Sequence, residues 1–153
     1  MGLLSDGIAT YRASGQEAWI PHYVALLAEA HEIVGQIEHG LILLGEALEL
    51  VERTGERWFA AELNRHKGEL LLRQGQSEAA EELYLKALGV AREQEARMWK
   101  LRASVSLARL RRDQGRCAEA RDLLLPVYGW FTEGFDTQDL RQGKALLDKL
   151  RGA

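Results

Sequence analysis

Most of what would announce a chemistry is missing from this chain. Its single cysteine, Cys117, leaves no internal disulfide, which fits a reducing compartment. Two prolines in 153 residues exclude a proline-rich or collagen-like segment. The longest purely aliphatic run is Leu41-Ile42-Leu43-Leu44. That is far short of the roughly 20 residues a membrane helix needs. Met1 to Asp6 lack the basic start and long apolar stretch of a secretory signal. Asp6 also stands where a myristoylation pattern requires Ser or Thr. The formal charge is only -3 and the pI is near 5.8, which argues against nucleic acid as a partner. These absences lead us to expect a cytoplasmic protein with neither membrane nor nucleic acid as its target. What remains is the balance of a folded protein, 46% hydrophobic and 28% charged, in a length that suits one domain.

Catalytic signatures are equally scarce. His22, His31, His39 and His66 form no i,i+4 pair, and there is no His-Glu-x-x-His, so no zinc-protease motif exists. On helices such histidines are expected to make polar contacts between helices. Gly35, Gly40 and Gly45 mimic the spacing of a phosphate loop, but Leu41 and Glu46 stand where lysine is required. No GxGxxG or GxSxG occurs. Cys117 follows a turn at a helix start, where a thiol pKa can fall. Packing like an alanine is the plainer reading. Glu81-Glu82 and similar acid pairs are expected on solvated helix faces. Neither an enzyme nor a cofactor or metal site is expected.

The positive signal is repetition. Gly35, Gly75 and Gly115 lie 40 residues apart, each followed by a short polar stretch that restarts a helix. Gly15 and Gly55 mark a second turn with the same period, and Glu95 stands in the third place. Aromatic residues shift in step: Ala18-Trp19, Trp58-Phe59, Met98-Trp99. Wedging between adjacent hairpins is the plainer role for these rings, with a ligand stack as the alternative. Between the turns the apolar spacing is three, four and seven, as in Phe59, Leu63, Leu70 and Leu71, or Leu83, Ala87, Leu88 and Ala91. Ala103, Leu107 and Leu110 continue it in the third unit. No segment alternates as a half-buried strand would. Helices are predicted near 2–14, 18–34, 38–54, 57–74, 78–94, 97–114, 118–131 and 137–151. Pro21 suits a first helical turn. Pro126 should kink the seventh helix, and Asp136-Thr137 should start the eighth.

Within the second unit, Gly68, Gly75, Ala80, Tyr84 and Ala87 are spaced by seven, five, four and three. That pattern resembles the tetratricopeptide repeat, whose small residues sit where two helices cross and whose aromatic fills the gap to the next repeat. The third unit keeps Ala108, Gly115, Ala120 and Leu124; the first keeps Ala28, Gly35, Leu44 and Ala47, with Gly40 replacing an alanine. The unit is 40 residues instead of 34, and the usual closing proline is absent. The resemblance implies an all-α, right-handed solenoid of antiparallel hairpins in a single domain over 1–153. Residues 1–15 would be the second helix of a truncated repeat. Repeats would follow at 16–55, 56–95 and 96–132, and a capping helix at 136–151. Leu4, Ile8 and Tyr11 would then lack part of their cover and promote a homodimer.

A second resemblance is carried by Glu52-Arg53-Thr54-Gly55-Glu56-Arg57-Trp58, Lys67-Gly68-Glu69-Leu70-Leu71-Leu72, Ser106-Leu107-Ala108-Arg109-Leu110 and the stretch Tyr128 to Thr137. These are similar to the C-terminal region of large bacterial signalling ATPases. In such proteins an output module, often an adenylate or guanylate cyclase or a DNA-binding domain, precedes an ATPase, and a tetratricopeptide array ends the chain. The resemblance implies a docking or sensor array, without transferring cyclase or ATPase activity. Trp130 and Phe131 would seat the terminal helix. Leu140, Leu146, Leu147 and Leu150 would be its inward stripe, with Asp139, Arg141, Lys144, Asp148 and Lys149 on its wet side.

Charge is divided along the array. From Ala28 to Glu56 seven acids face one base, a net of -6; from Arg97 to Arg116 seven bases face one acid, a net of +6. In tetratricopeptide arrays the first helix of each hairpin lines the concave face. The resemblance places three ladders there: Ala25, Arg65, Val105; Glu29, Glu69, Arg109; and Glu32, Leu72, Arg112. An acidic peptide or a neighbouring domain would meet Arg109 and Arg112. The alternative is a solvated face balanced by Glu78, Glu81 and Glu82. The expected function is a non-catalytic protein-interaction scaffold. An oligomerisation or intramolecular spacer comes second, and an RNA-binding array third.

Overall fold

The computed structural model describes residues 2–15 and 17–152, apart from the side chain of Leu4. Eight α-helices follow one another: α1 Gly2–Ala13, α2 Ile20–Ile33, α3 Ile37–Thr54, α4 Ala60–Arg73, α5 Ser77–Glu93, α6 Arg97–Asp113, α7 Cys117–Tyr128 and α8 Gln138–Arg151. Among the described residues there is no strand. Helices α2 and α3, α4 and α5, and α6 and α7 pack as hairpins, and α8 lies against both α6 and α7. The outcome is the all-α solenoid that the glycine period predicts.

The turns set the period. Gly75 has a φ of 79°, a left-handed conformation in which a Cβ would crowd the following carbonyl. Its N–H donates to the Leu72 carbonyl at 2.9 Å, and the Gln76 N–H reaches back to the Leu71 carbonyl at 3.0 Å. That paired closure ends α4 and aims the chain directly into α5. Glu95 closes α5 in the same way, with Glu95 N–H to Arg92 and Ala96 N–H to Ala91. Its φ is 52°, so a side chain occupies a conformation that its counterpart Gly55 adopts freely. The period outranks local preference here.

Inside each hairpin the helices approach at small residues. A Cβ on Gly68 would stand 2.7 Å from the Tyr84 ring and 3.2 Å from the Ala80 carbonyl. Ala28 and Ala108 hold the equivalent place in units whose facing residue is Leu44 or Leu124. The larger ring of Tyr84, 1% exposed, therefore accounts for the missing methyl. The hairpins are joined by rings. Trp19 meets Trp58 edge-on at 4.9 Å, and Phe59 meets Trp99 at 5.4 Å. The Trp58 indole N–H donates to the Ala18 carbonyl, 40 residues earlier, at 3.1 Å. The wedge is the role these side chains take.

Several local expectations are corrected. Helix α7 ends at Tyr128 and not near 131. Pro126 has no N–H for the Asp122 carbonyl, which weakens the last turn. Thr137 precedes α8 but does not cap it, because its hydroxyl donates to the Gly134 carbonyl at 2.7 Å. Leu140, Leu146, Leu147 and Leu150 do form the buried stripe of α8, and Phe131 packs on the cluster they belong to. Trp130 does not seat that helix. It is 64% exposed, with the Arg97 guanidinium over its ring at 4.6 Å. Asp139 is not on the wet side of α8 either, since Arg102 holds it. The side of α1 expected to lack cover has it: Ile8 is buried, and Tyr11 is half-buried edge-on to Tyr23 of α2 at 5.9 Å. The side chain of Leu4 lies outside the described residues.

Two outcomes follow from this packing. Replacing Glu95 with glycine removes a left-handed penalty of about 1–2 kcal/mol, less the extra entropy of a glycine. Thermal unfolding should rise by a net of about 0.5–1 kcal/mol. Gly68→Ala should destabilise by about 1–3 kcal/mol, because the added methyl meets a ring and a backbone carbonyl. Combining it with Tyr84→Leu should recover most of that loss, which a denaturant titration of the four proteins reads directly.

Candidate functional site

The first helices of the hairpins, α4 and α6, together with α8 and Glu29 of α2, line a cleft of about 240 Å³. Its floor is a lattice of charges. Glu62 of α4 accepts two hydrogen bonds from Arg65 one turn on, at 2.7 and 2.8 Å. The same carboxylate meets Arg102 of α6 at 3.3 Å. Arg102 continues to Asp139 of α8 at 3.0 and 3.1 Å and lies over the Trp99 ring at 5.2 Å. Arg65 also pairs with Glu69, whose Oε1 accepts from the Ser106 hydroxyl at 3.1 Å. Three successive layers of the solenoid are tied through polar side chains.

Burial sets the electrostatics. Glu62 is 7% exposed. Burial alone pushes its carboxyl up, but the hydrogen bonds and charges of Arg65 and Arg102 outweigh that and hold it below the usual carboxylate range. Burial likewise disfavours the Arg65 cation, and Glu62 and Glu69 overcome it, so Arg65 is held charged. Tyr84 beneath them is pushed well up, first by burial and then by Glu69, and stays a neutral phenol. These shifts hold Glu62 and Arg65 charged and Tyr84 neutral near neutral pH. Among the described residues, no group of three or more His, Cys, Asp or Glu side chains is placed to hold a metal ion.

Five of the nine expected concave residues line the cleft: Glu29, Arg65, Glu69, Val105 and Arg109. The other four are elsewhere. Ala25 is buried in the first hydrophobic cluster. Leu72 packs half-buried against the cluster around Ala80 and Tyr84. Glu32 is a tie between α2 and α4, bonded to His66 at 3.0 Å and to Arg73 at 2.8 Å. Arg112 turns to its neighbour Asp113 at 2.6 Å. Among the cleft residues absent from the expected set are four that shape its charge and polarity: Glu62, Arg102, Asp139 and Gln142. His22, Glu62 and Arg102 are themselves a ladder of period 40, one turn before Ala25, Arg65 and Val105. Extending the ladders backward by one turn finds two of the four. Asp139 and Gln142 have no counterpart in the repeats, because α8 stands outside them.

Ion pairs also redistribute the charge asymmetry. Arg111 and Arg116 close on Glu81 of the preceding helix, at 3.3 and 2.9 Å. Of the acids expected to balance Arg109 and Arg112, Glu81 thus goes to other arginines. Arg109 is different: its partner is the neutral Gln142 at 3.0 Å. Glu29 has no ion-pair partner among the described residues. The middle of the cleft thus pairs three acids, Glu62, Glu69 and Asp139, with two bases, Arg65 and Arg102, and keeps one negative charge in excess, while Glu29 and Arg109 stand on either side without an ion-pair partner among the described residues.

Comparison with known proteins bears on the fold. Residues 59–125 match the family model described as tetratricopeptide repeat. No curated protein sequence matches the chain. Among solved structures, the nearly identical tetratricopeptide-like repeats assigned to a kinesin light chain of Podosopora anserina share 18% identity. They match 99% of this chain and 75% of that one, with a TM-score of 0.71. The BtubC (BKLC) protein of P. vanneervenii shares 14% identity over 99% of this chain and 70% of its own, with a TM-score of 0.75. Identities this low carry the architecture alone, and the architecture is that of a tetratricopeptide-like helical solenoid.

Proposed function

We propose that this array is a non-catalytic scaffold whose concave cleft holds an extended segment of a partner protein. The observation that carries the reading is the charge arrangement just described: among the described residues Glu29 and Arg109 are left without ion-pair partners, on either side of a floor whose other charges are all paired. A buried pair such as Glu62–Arg65 contributes little net attraction to a ligand, because its charges are already spent on each other. Specificity then falls to the uncompensated ends. Helices α2, α4 and α6 stack at about 8–10 Å per layer, so Glu29 and Arg109 are separated by about 16–20 Å. An extended chain covers that in about five or six residues. The segment that fits carries a basic residue toward Glu29 and an acidic one toward Arg109.

At the finer level, the reading is the C-terminal sensor or docking array of a larger bacterial signalling protein in the cytoplasm. The likeness of the stretches 52–58, 67–72, 106–110 and 128–137 to such arrays supports it. Filling the cleft would bridge α2, α4 and α6 and pass a rigid displacement along the stack to a neighbouring domain.

A displayed library of random ten-residue peptides tests the cleft. Selection on the full chain should enrich a basic and an acidic residue about five positions apart, and Arg109→Glu should reverse the sign at the acidic position alone. Enrichment without a charge pattern, or an unchanged pattern on the variant, overturns the reading. Glu62→Gln has a different signature, because it removes the buried carboxylate that Arg65 and Arg102 share and leaves them only Glu69 and Asp139 as charged partners. It should destabilise the fold by about 2–3 kcal/mol at neutral pH. Glu62 titrates lower when folded than unfolded, so its contribution is full above the unfolded carboxyl pKa and fades as pH falls through the folded one. The stability difference between wild type and Glu62→Gln, followed by urea titration, should therefore narrow below about pH 4.5.

A further inference from the structure

Positions 17, 57 and 97 stand 40 residues apart, and so do positions 53, 93 and 133. In the first two units they close a seam with opposite charges: Glu17 with Arg53 at 3.0 Å, and Arg57 with Glu93 at 3.5 Å. The third unit keeps opposite charges there, Arg97 and Glu133, but no such pair forms among the described residues. Helix α7 stops at Tyr128, so Glu133 is off the helix, whereas α3 and α5 carry Arg53 and Glu93 in their last turns. The early stop also frees Trp130. Its counterparts Leu50 and Val90 are core residues, while Trp130 is exposed. Lys100 takes the place of Ile20 and Ala60, both of which are buried. Arg97 lays its guanidinium over the Trp130 ring at 4.6 Å, and the Lys100 ammonium reaches the same ring at 5.7 Å. With Arg92 and Glu95 they line a recess of about 390 Å³, and Val127 and Phe131 form an apolar nook next to it. Helices are packed on both sides, α5 against α6 and α8 against α6 and α7, so the exposure of Trp130 comes from where α7 stops.

We propose that this recess is a second docking surface, and that its occupant is an acidic segment of a partner protein with an apolar residue beside its carboxylates. A cation over an aromatic face is held in place without losing its charge. The N–H donors of a guanidinium lie in its own plane, so a ring on its face leaves the fork of Arg97 open to a carboxylate. Among the described residues, Arg92, Arg97 and Lys100 make no ion pair and no side-chain hydrogen bond, and Glu95 is the one acid that lines the recess with them. The basic stretch from Arg97 to Arg116 is spent elsewhere: Arg102, Arg111, Arg112 and Arg116 are all ion-paired. Its surplus rests on Arg97, Lys100 and Arg109, and two of these three face the recess. The first turn of α6 holds no acid, although a helix start favours negative charge, and the carboxylates of the segment would supply it. The nook at Val127 and Phe131 seats the apolar residue. A nucleic-acid backbone needs a longer basic track than three side chains, and the net charge of -3 opposes it. The recess shares no residue with the cleft, so either can fail without the other.

Fluorescence anisotropy of a labelled peptide of about ten residues containing Glu-Asp-Glu-Asp-Leu, titrated with the full chain at about 50 and about 300 mM salt, is the test. Binding that weakens as salt rises is expected. Arg97→Gln together with Lys100→Ala should weaken it at least about tenfold. Alanine stands at the equivalent position 60 of the second unit, so the fold accepts the second change. Trp130→Leu, which installs the residue found at position 50, should weaken binding at least about threefold, because the Arg97 fork is no longer held. Arg141→Glu on the exposed side of α8 and Arg109→Glu in the cleft should each leave the affinity within about twofold, since both lie outside the recess. A peptide that does not bind, binding indifferent to the Arg97→Gln/Lys100→Ala pair or to Trp130→Leu, an equal loss with Arg141→Glu or Arg109→Glu, or an oligouridylate of the same length bound as tightly as the peptide would each overturn the proposal.

Discussion

Everything in this molecule depends on holding a constant 40-residue step. The left-handed closure at each turn does this, because it fixes both where one helix stops and the direction in which the next begins. Glu95 is the clearest measure of that constraint. It accepts a strained φ of 52° with a full side chain and keeps the two back-bonds seen at the glycine turns. A step of different length there would rotate α6 about its axis by roughly 100° per residue. Arg102 would leave Glu62, Ser106 would leave Glu69, and the Phe59–Trp99 contact would open. The strain of one residue is small against the loss of three interlayer contacts.

The same step makes the cleft. Residues 40 apart become neighbours one layer apart, so a charge at one position meets its counterpart from the next unit. Opposite counterparts can neutralise each other, as Glu62 and Arg102 do. Glu69 instead turns to Arg65 and Ser106, so Arg109 one layer on keeps its charge for a partner. Helix α8 enters as a final layer and supplies Asp139 to the chain of pairs, but only the neutral Gln142 to Arg109. The difference between a structural arginine and an available one is thus decided by a helix outside the repeat.

That explains how far the sequence could be read. The helices, hairpins and turn positions were legible, because a period of 40 and a glycine in the left-handed region are local signals. The concave ladders were legible in register but not in depth. Ala25 and Val105 share a ladder with Arg65 and are equally buried, each in a hydrophobic cluster, yet only Val105 also borders the cleft. The depth of a short side chain is set by the helix packed beside it, which the register alone does not describe. Trp130 was misplaced for a related reason. An aromatic beside a terminal helix reads as a seat for it, and only the position of Arg97 and Lys100 shows that the ring serves cations instead. Asp139 and Gln142 were invisible because no repeat equivalent exists to count from.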